Sequence, residues 1–328
     1  MSDKTRMMRH RMISTIPVLA VIIVFTFLLL EFASGDAVDA YLVQIGGGDA
    51  DLRQALRAEY GLDQSIAARF WLYLSSLARF DLGWSLSFNR PVLSLILERL
   101  PNTLLLMGSA TILAFVLGTG VGIAAGSKPN GWLDRITSPL SLALYATPSF
   151  WLGLILVLFF AVKLRIFPTS GMETIASGKQ GLDRAIDIAW HLALPVSSLA
   201  LIYMALFLRV IKTAMQDIWH QDYVAFALSK GLPKSRIIFR HIVPNAFLPV
   251  ITLLGLQAAA MLGGSVVIES VFAIPGFGRL ARDAVTNRDT ALLMGIILVS
   301  AIFVILVNLL VDLVYRMLDP RIGQSGAR

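Results

Sequence analysis

Few residues in this 328-residue sequence have a type and spacing suited to chemistry. It contains no cysteine, which excludes a thiol nucleophile, a disulfide framework and a Cys-based metal site. The four histidines, His10, His191, His220 and His241, are scattered and show no His-Glu-x-x-His or comparable spacing, which argues against a metal centre. The nearest approach to a Gly-x-x-x-x-Gly-Lys-Ser/Thr phosphate loop is Gly178-Lys179-Gln180, which lacks the leading glycine and the hydroxyl, so any ATP must be hydrolysed by another chain. Two carboxylates in apolar surroundings remain, Glu269 and Asp312, the kind of group that ion-coupled carriers need. Asp312 lies four residues before Arg316, the favourable order for a local ion pair. Glu269 has Arg279 and Arg282 in the following loop, so structural pairing stands beside a functional role.

The elements that must position these groups are apolar. Hydrophobic residues make up 56% of the chain and charged ones 15%, and the mean hydropathy is +0.74, which excludes a cytosolic globular enzyme and a disordered chain. Residues 12–30, 102–127, 138–162, 192–208, 246–268 and 290–311 contain no Asp, Glu, Lys or Arg. A helix needs about 20 apolar residues to cross the bilayer, so the pattern predicts an all-α polytopic membrane protein with six transmembrane helices. The first stretch follows Arg6, Arg9 and Arg11, but its apolar core exceeds the usual signal-peptide length of about 7–15 residues, which indicates an uncleaved span.

The net charge of +7 points to topology rather than to nucleic acid. With the N-terminus inside, 15 basic residues are cytoplasmic and 13 external, six of the latter in the long segment 34–100 that the positive-inside rule weighs lightly. Both termini are therefore expected in the cytoplasm. The organisation read from the sequence is a cytoplasmic N-terminus and first span (1–33), an extracytoplasmic cap (34–100), a five-helix core (101–317) with a long cytoplasmic loop at 213–245, and a cytoplasmic tail (318–328).

In the cap, Asp51 suits an N-cap, Gly61 a helix stop, and a second helix over Ser65–Arg79 carries the stripe Ile66, Phe70, Trp71, Leu74 and Leu77. That stripe is expected to pack on the protein's own external surface or to lie among lipid headgroups. Gly118, Gly122 and Gly126 form two overlapping small-residue steps that let another helix approach closely. Pro148 and Pro195 interrupt the third and fourth spans.

The cytoplasmic loop divides by local rules. Asp222 suits an N-cap, Tyr223 to Lys230 makes about two turns, and Gly231 is the left-handed stop. Pro233 suits the first turn of a second helix, which Pro244 ends. Tyr223, Phe226, Ala227 and Lys230 share one face, an apolar patch that either meets a partner and transmits force or rests on lipid.

This loop resembles the EAA motif of ABC importer permeases of the dipeptide, oligopeptide and nickel group, B-type subunits of binding-protein-dependent systems. Ala227, Gly231 and Asn245-Ala246 match its small residue, its glycine and its Asn-Ala pair. The resemblance extends through Gly35-Asp36, Gly61-Leu62-Asp63-Gln64, Asp81-Leu82-Gly83-Trp84-Ser85, Arg99-Leu100-Pro101-Asn102-Thr103 and Pro148-Ser149-Phe150-Trp151-Leu152-Gly153. It continues in Glu269-Ser270-Val271-Phe272, Pro275-Gly276-Phe277-Gly278-Arg279-Leu280 and Asp319-Pro320-Arg321. Ala37 stands where the family often has proline, and Tyr223-Val224 replaces the Glu-Ala of the motif.

The resemblance implies a type I ABC importer permease fold in a bacterial inner membrane. It also implies a non-catalytic translocation subunit paired with a homologous permease, two ABC ATPase subunits carrying ATP and Mg, and an extracytoplasmic solute-binding protein. This chain would hold no cofactor or metal. Asp222, Tyr223, Phe226, Ala227, Lys230, Gly231, Leu232, Pro233, Arg236, His241 and Asn245 would couple to the ATPase, and Pro148, Phe150, Trp151, Met261, Gly264 and Glu269 are expected along the pathway. The expected cargo is a di- or oligopeptide, with nickel chelates, glutathione and opines as alternatives. The competing class, an ATP-independent channel or carrier, needs buried charge and internal symmetry; no inverted repeat relates residues 1–164 to the remainder.

Overall fold

The computed structural model describes residues 3–32, 38, 41–42, 46–59, 61–264 and 266–318. The strings Gly35-Asp36 and Asp319-Pro320-Arg321, Ala37, and tail residues 319–328 lie outside these, as does the Arg316 side chain expected to pair with Asp312. The described residues are mostly helical, and the chain divides into two compact units, Met1–Pro101 with Gly276–Leu306, and Asn102–Pro275 with Val307–Arg328.

In the first unit, the Asp3–Glu31 helix contains Pro17 and receives the Ile66–Ala78 helix near its end. Arg69 donates to Glu31 at 2.6 Å, and the Phe27 ring lies 5.1 Å from that of Phe70. The stripe is therefore split: Phe70, Leu74 and Leu77 turn inward, whereas Ile66 and Trp71 are exposed, because a helix buries only residues near one 3.6-residue spacing. Asp49, not Asp51, caps the Ala50–Glu59 helix by accepting from the Leu52 N–H, and Gly61 (φ +65°) stops it as expected. A two-stranded antiparallel hairpin, Trp84–Ser85 with Arg90–Pro91, follows.

The hairpin is held by Asp289. This carboxylate is buried and accepts from the Ser85 hydroxyl at 2.6 Å and the Ser87 N–H at 3.1 Å. Its other oxygen accepts from the Leu292 N–H, which caps the Thr290–Leu318 helix. Asp81 makes the tight turn into the hairpin by accepting from the Gly83 N–H, where φ is +84°.

The spans differ in detail from the charge-free stretches. Among the described residues four helices are long and apolar enough to cross a membrane: Val92–Gly126, Gly181–Trp219, Lys234–Ala259 and Thr290–Val314. A broken pair, Trp132–Ala146 and Ser149–Lys163, makes a fifth, and Thr15–Leu29 is a shorter apolar stretch. Of the six stretches, four thus overlap unbroken spans and one the broken pair, while the first lies within the 29-residue Asp3–Glu31 helix.

Pro148 does more than kink the third span. The two halves are bent by 101°, Thr147 is extended (ψ 128°), and Pro148 becomes the N-cap of the second half. Proline disfavours the helical conformation for the residue before it, which explains the full break. Pro195, by contrast, does not interrupt its span; it lies buried inside the 39-residue Gly181–Trp219 helix.

The glycines at 118, 122 and 126 lie against that helix. A Cβ at Gly118 would meet the Met204 carbonyl at 2.6 Å, one at Gly122 the Leu208 carbonyl at 2.8 Å, and one at Gly126 the Met215 sulfur at 3.1 Å. The Trp219 indole closes the end of the seam by donating to the Gly126 carbonyl at 3.2 Å. Gly120, on the other face, has nothing within 4 Å. Gly122→Ala is therefore expected to destabilise the purified chain by about 1–3 kcal/mol in a denaturant titration in detergent, while Gly120→Ala leaves the midpoint unchanged.

Candidate functional site

The loop at 213–245 builds a projecting corner. Its first helix is Asp222–Ser229, and its N-cap is Gln221 rather than Asp222, which occupies the first helical position with its charge near the positive end of the helix. At the C-terminus, Gly231 has φ +73°, its N–H donates to the Leu228 carbonyl at 2.9 Å, and the Leu232 N–H donates to the Ala227 carbonyl at 3.4 Å. Those two bonds form a Schellman closure, which requires the left-handed conformation that glycine takes at little cost.

The buried face of this helix is Val224 and Ala227, packed with Met215, Ile237, Ile242 and Ala246 in one apolar cluster. Ala227 is therefore not part of the exposed patch predicted with Tyr223, Phe226 and Lys230; it lies three residues from Val224 and faces the core. The exposed side holds Tyr223, Phe226 and Leu228, 43%, 61% and 42% accessible. The Lys230 ammonium lies 4.4 Å from the Phe226 ring centroid, so the cation and the ring form one surface feature.

Pro233 is the residue before the next helix, with φ −64° and ψ 139°, and Lys234–Ile237 follows. Pro244 does not end that helix. The backbone widens to a π-turn over Ile238–Ile242 and continues as Val243–Ala259 with proline in its first turn, where no intrahelical donor is needed. The loop's second helix and the fifth span are consequently one rod. Asn245 ties it to the projecting helix: its amide donates to the His241 carbonyl at 2.7 Å and to the Tyr223 hydroxyl at 3.4 Å. Leu232 packs partly buried against the cluster, and Arg236 is exposed.

A buried ion pair near this corner escaped sequence reasoning. Lys212 lies 2.9 Å from Asp134 and donates to the Ser138 hydroxyl at 2.7 Å; Asp134 also accepts from the Asn130 N–H and the Ser138 hydroxyl. Lys212 thereby joins the Gly181–Trp219 helix to the Trp132–Ala146 helix and the turn before it. The available signal was Asp134 four residues before Ser138 at the edge of an apolar stretch.

Of the expected pathway residues, Phe150 and Trp151 lie on the Ser149–Leu156 helix, which packs against the Val266–Val271 helix that carries Glu269. Pro148, Phe150 and Trp151 are exposed at the break in the third span, and Met261 packs partly buried beside Ile268 and Phe272. Gly264 ends the short Met261–Gly264 helix. Glu269 is fully buried and accepts from the Thr103 hydroxyl at 2.5 Å. Nearby, the Asn102 amide donates to the Pro275 carbonyl at 2.8 Å, and Gly153 gives the Phe272 ring room, a Cβ there falling 3.1 Å from it. Arg282 lies 3.0 Å from the carboxylate of neighbouring Asp283. Among the described residues no group of three or more His, Asp or Glu side chains could hold a metal ion.

Residues 118–324 match the family described as binding-protein-dependent transport system inner membrane component. The oligopeptide transport system permease protein AppB of Bacillus subtilis (strain 168) is 36% identical over 318 residues, covering 95% of this chain and 98% of the relative. A putative peptide permease protein of Brucella suis biovar 1 (strain 1330) is 37% identical over 316 residues, covering 95% and 97%. Among solved structures, an inward-facing conformation of the MetNI methionine ABC transporter superposes with a TM-score of 0.55 at 16% identity, over 69% of this chain and 96% of that one. At that identity the likeness speaks to the fold.

Removing one partner of a buried ion pair leaves the other charge unsolvated. Lys212→Met is expected to lower stability by about 3–5 kcal/mol, and the double variant Lys212→Met/Asp134→Leu to recover most of that loss, both read from unfolding midpoints in detergent.

Proposed function

The chain belongs to the family of binding-protein-dependent transport system inner membrane components, and from that premise we propose that it is the permease subunit of an ATP-driven importer of di- or oligopeptides. Its relatives are named oligopeptide or peptide permeases along almost their whole length, which supports that cargo. In this proposal the chain pairs with a homologous permease in the bacterial inner membrane, with both termini in the cytoplasm. Two ATPase chains bind below and hold ATP and Mg, and a solute-binding protein delivers cargo from outside.

The helix Asp222–Ser229 is the coupling element. The observation that carries this role is its combination of a locked base and an open tip: Val224 and Ala227 are buried, while Tyr223 and Phe226 face outward. An exposed aromatic pair beside Lys230 suits a groove on a partner protein. Closure of the ATPase dimer would push on this tip. The Tyr223–Asn245 bond and the shared apolar cluster would carry the displacement into the Lys234–Ala259 rod.

Affinity purification of the tagged chain in mild detergent, followed by mass spectrometry, tests the assembly. A second permease and phosphate-loop ATPases are expected to copurify, and recovery of the chain alone with transport retained in ATP-free vesicles would refute it. Gly231→Val is expected to abolish ATP-dependent uptake, since a β-branched residue in the left-handed region costs at least about 1–2 kcal/mol and opens the closure. Normal uptake by a correctly inserted variant contradicts the coupling role.

A further inference from the structure

A cavity of about 820 Å³ lies beside the coupling helix. Its walls come from the turn after the Val92–Gly126 helix (Lys128, Asn130), the end of the Gly181–Trp219 helix (Trp219, His220), the coupling helix (Leu228) and the start of the following rod (Lys234). Two lysines and a histidine line it, and no acidic residue does. Among the described residues neither lysine is paired with a carboxylate.

The walls are preorganised. Asn130 has φ +62° and its N–H is held by Asp134, itself fixed by Lys212. The Gly131 N–H closes the turn onto the Lys128 carbonyl, and the Trp219 indole is anchored to the Gly126 carbonyl. His220 Nδ1 faces the Gln216 carbonyl at 2.8 Å, which makes it the donor. Lysine ammonium groups bind phosphate as point charges. The volume far exceeds that of a bare phosphate ion, and Trp219 and Leu228 offer apolar surface for an organic body.

We propose that this cavity binds an organic phosphate, with the phosphate between Lys128 and Lys234 and the apolar part on Trp219 and Leu228. Such a ligand bridges the turn at Lys128 to both the coupling helix and the rod behind it, so occupancy restrains the coupling helix. That regulatory consequence rests on the coupling role proposed above; the binding itself does not.

The sequence has no cysteine, so Ser229→Cys gives a single labelling site on the coupling helix next to Leu228. The full chain, stripped of lipid, carrying an environment-sensitive dye at that position and held in phosphatidylcholine nanodiscs without ATPase, is titrated in two arms. One raises the fraction of phosphatidylglycerol, and the other adds soluble glycerol phosphate. A saturating response in the first arm alone assigns a lipid headgroup, and one in the second assigns a soluble ester. In either case Lys128→Gln/Lys234→Gln weakens half-saturation about tenfold, whereas Lys163→Gln, which lines no part of the cavity, leaves it unchanged. Both lysines are exposed, and an unchanged elution profile and melting point check that the double variant folds. No response in either arm, a response indifferent to the double variant, or one that appears only when ATPase is added would overturn the proposal. The coupling role itself is judged separately, by uptake.

Discussion

The larger unit depends on one close contact, the seam in which Gly118, Gly122 and Gly126 meet the Gly181–Trp219 helix. Lipid tails are as apolar as the side chains, so helices in a membrane gain little from burial and associate through close packing and polar ties. Three glycines on one face let the backbones approach, and each would-be Cβ falls within 3.1 Å of an atom of the facing helix. Phe115 and Phe207 extend the contact edge to face, with centroids 5.6 Å apart. The helix held this way ends at Trp219, and the Asp222–Ser229 helix begins three residues later, so the seam also sets where that helix starts.

Polar ties then fix what the seam leaves free. Asp134 with Lys212, Glu269 with Thr103, and Asp289 with Ser85 are each buried, and each joins segments far apart in the chain. A buried carboxylate is costly unless paired, so such contacts tolerate little displacement and specify one arrangement of helices that are otherwise interchangeable rods of apolar surface. Outside the apolar stretches the same logic holds the loop after the third span: Asp187 accepts from the Thr174 N–H and hydroxyl and from Lys179, and the Arg184 guanidinium beside Glu173 holds that carboxyl below its usual range.

Much of this was legible where local physics decides. Positive φ at Gly61 and Gly231 follows from helix-stop chemistry, and the spacing of Gly118, Gly122 and Gly126 announces a close neighbour. What was not legible depends on tertiary choice. Ala227 was grouped with Tyr223 and Phe226 because all three suit one side of an isolated helix, yet the side chosen for burial was set by Met215 and Ile237, which no local rule brings near. The charge-free stretch 192–208 understated a 39-residue helix because Asp187 is paired and the helix continues beyond the apolar core. Pro148, Pro195 and Pro244 read alike in sequence and behave in three ways: a break, a place inside an unbroken helix, and a start after a π-turn.

Gly231 is best understood as a fixed corner and not as a hinge. A hinge needs a backbone free to rotate, but here two hydrogen bonds span the glycine, and the residues on either side, Ala227 and Ile237, are buried in the same cluster. Glycine supplies the left-handed turn without strain, and the surrounding bonds remove the flexibility glycine would otherwise bring. The Asp222–Ser229 helix, the corner and the start of the Lys234–Ala259 rod are therefore tied together by hydrogen bonds and one shared apolar cluster. A corner closed in this way is the stiff element that the coupling role proposed above requires. Within this unit the helical hydrogen-bond ladder is interrupted at the 101° break at Thr147-Pro148, in contrast to the closed corner at Gly231.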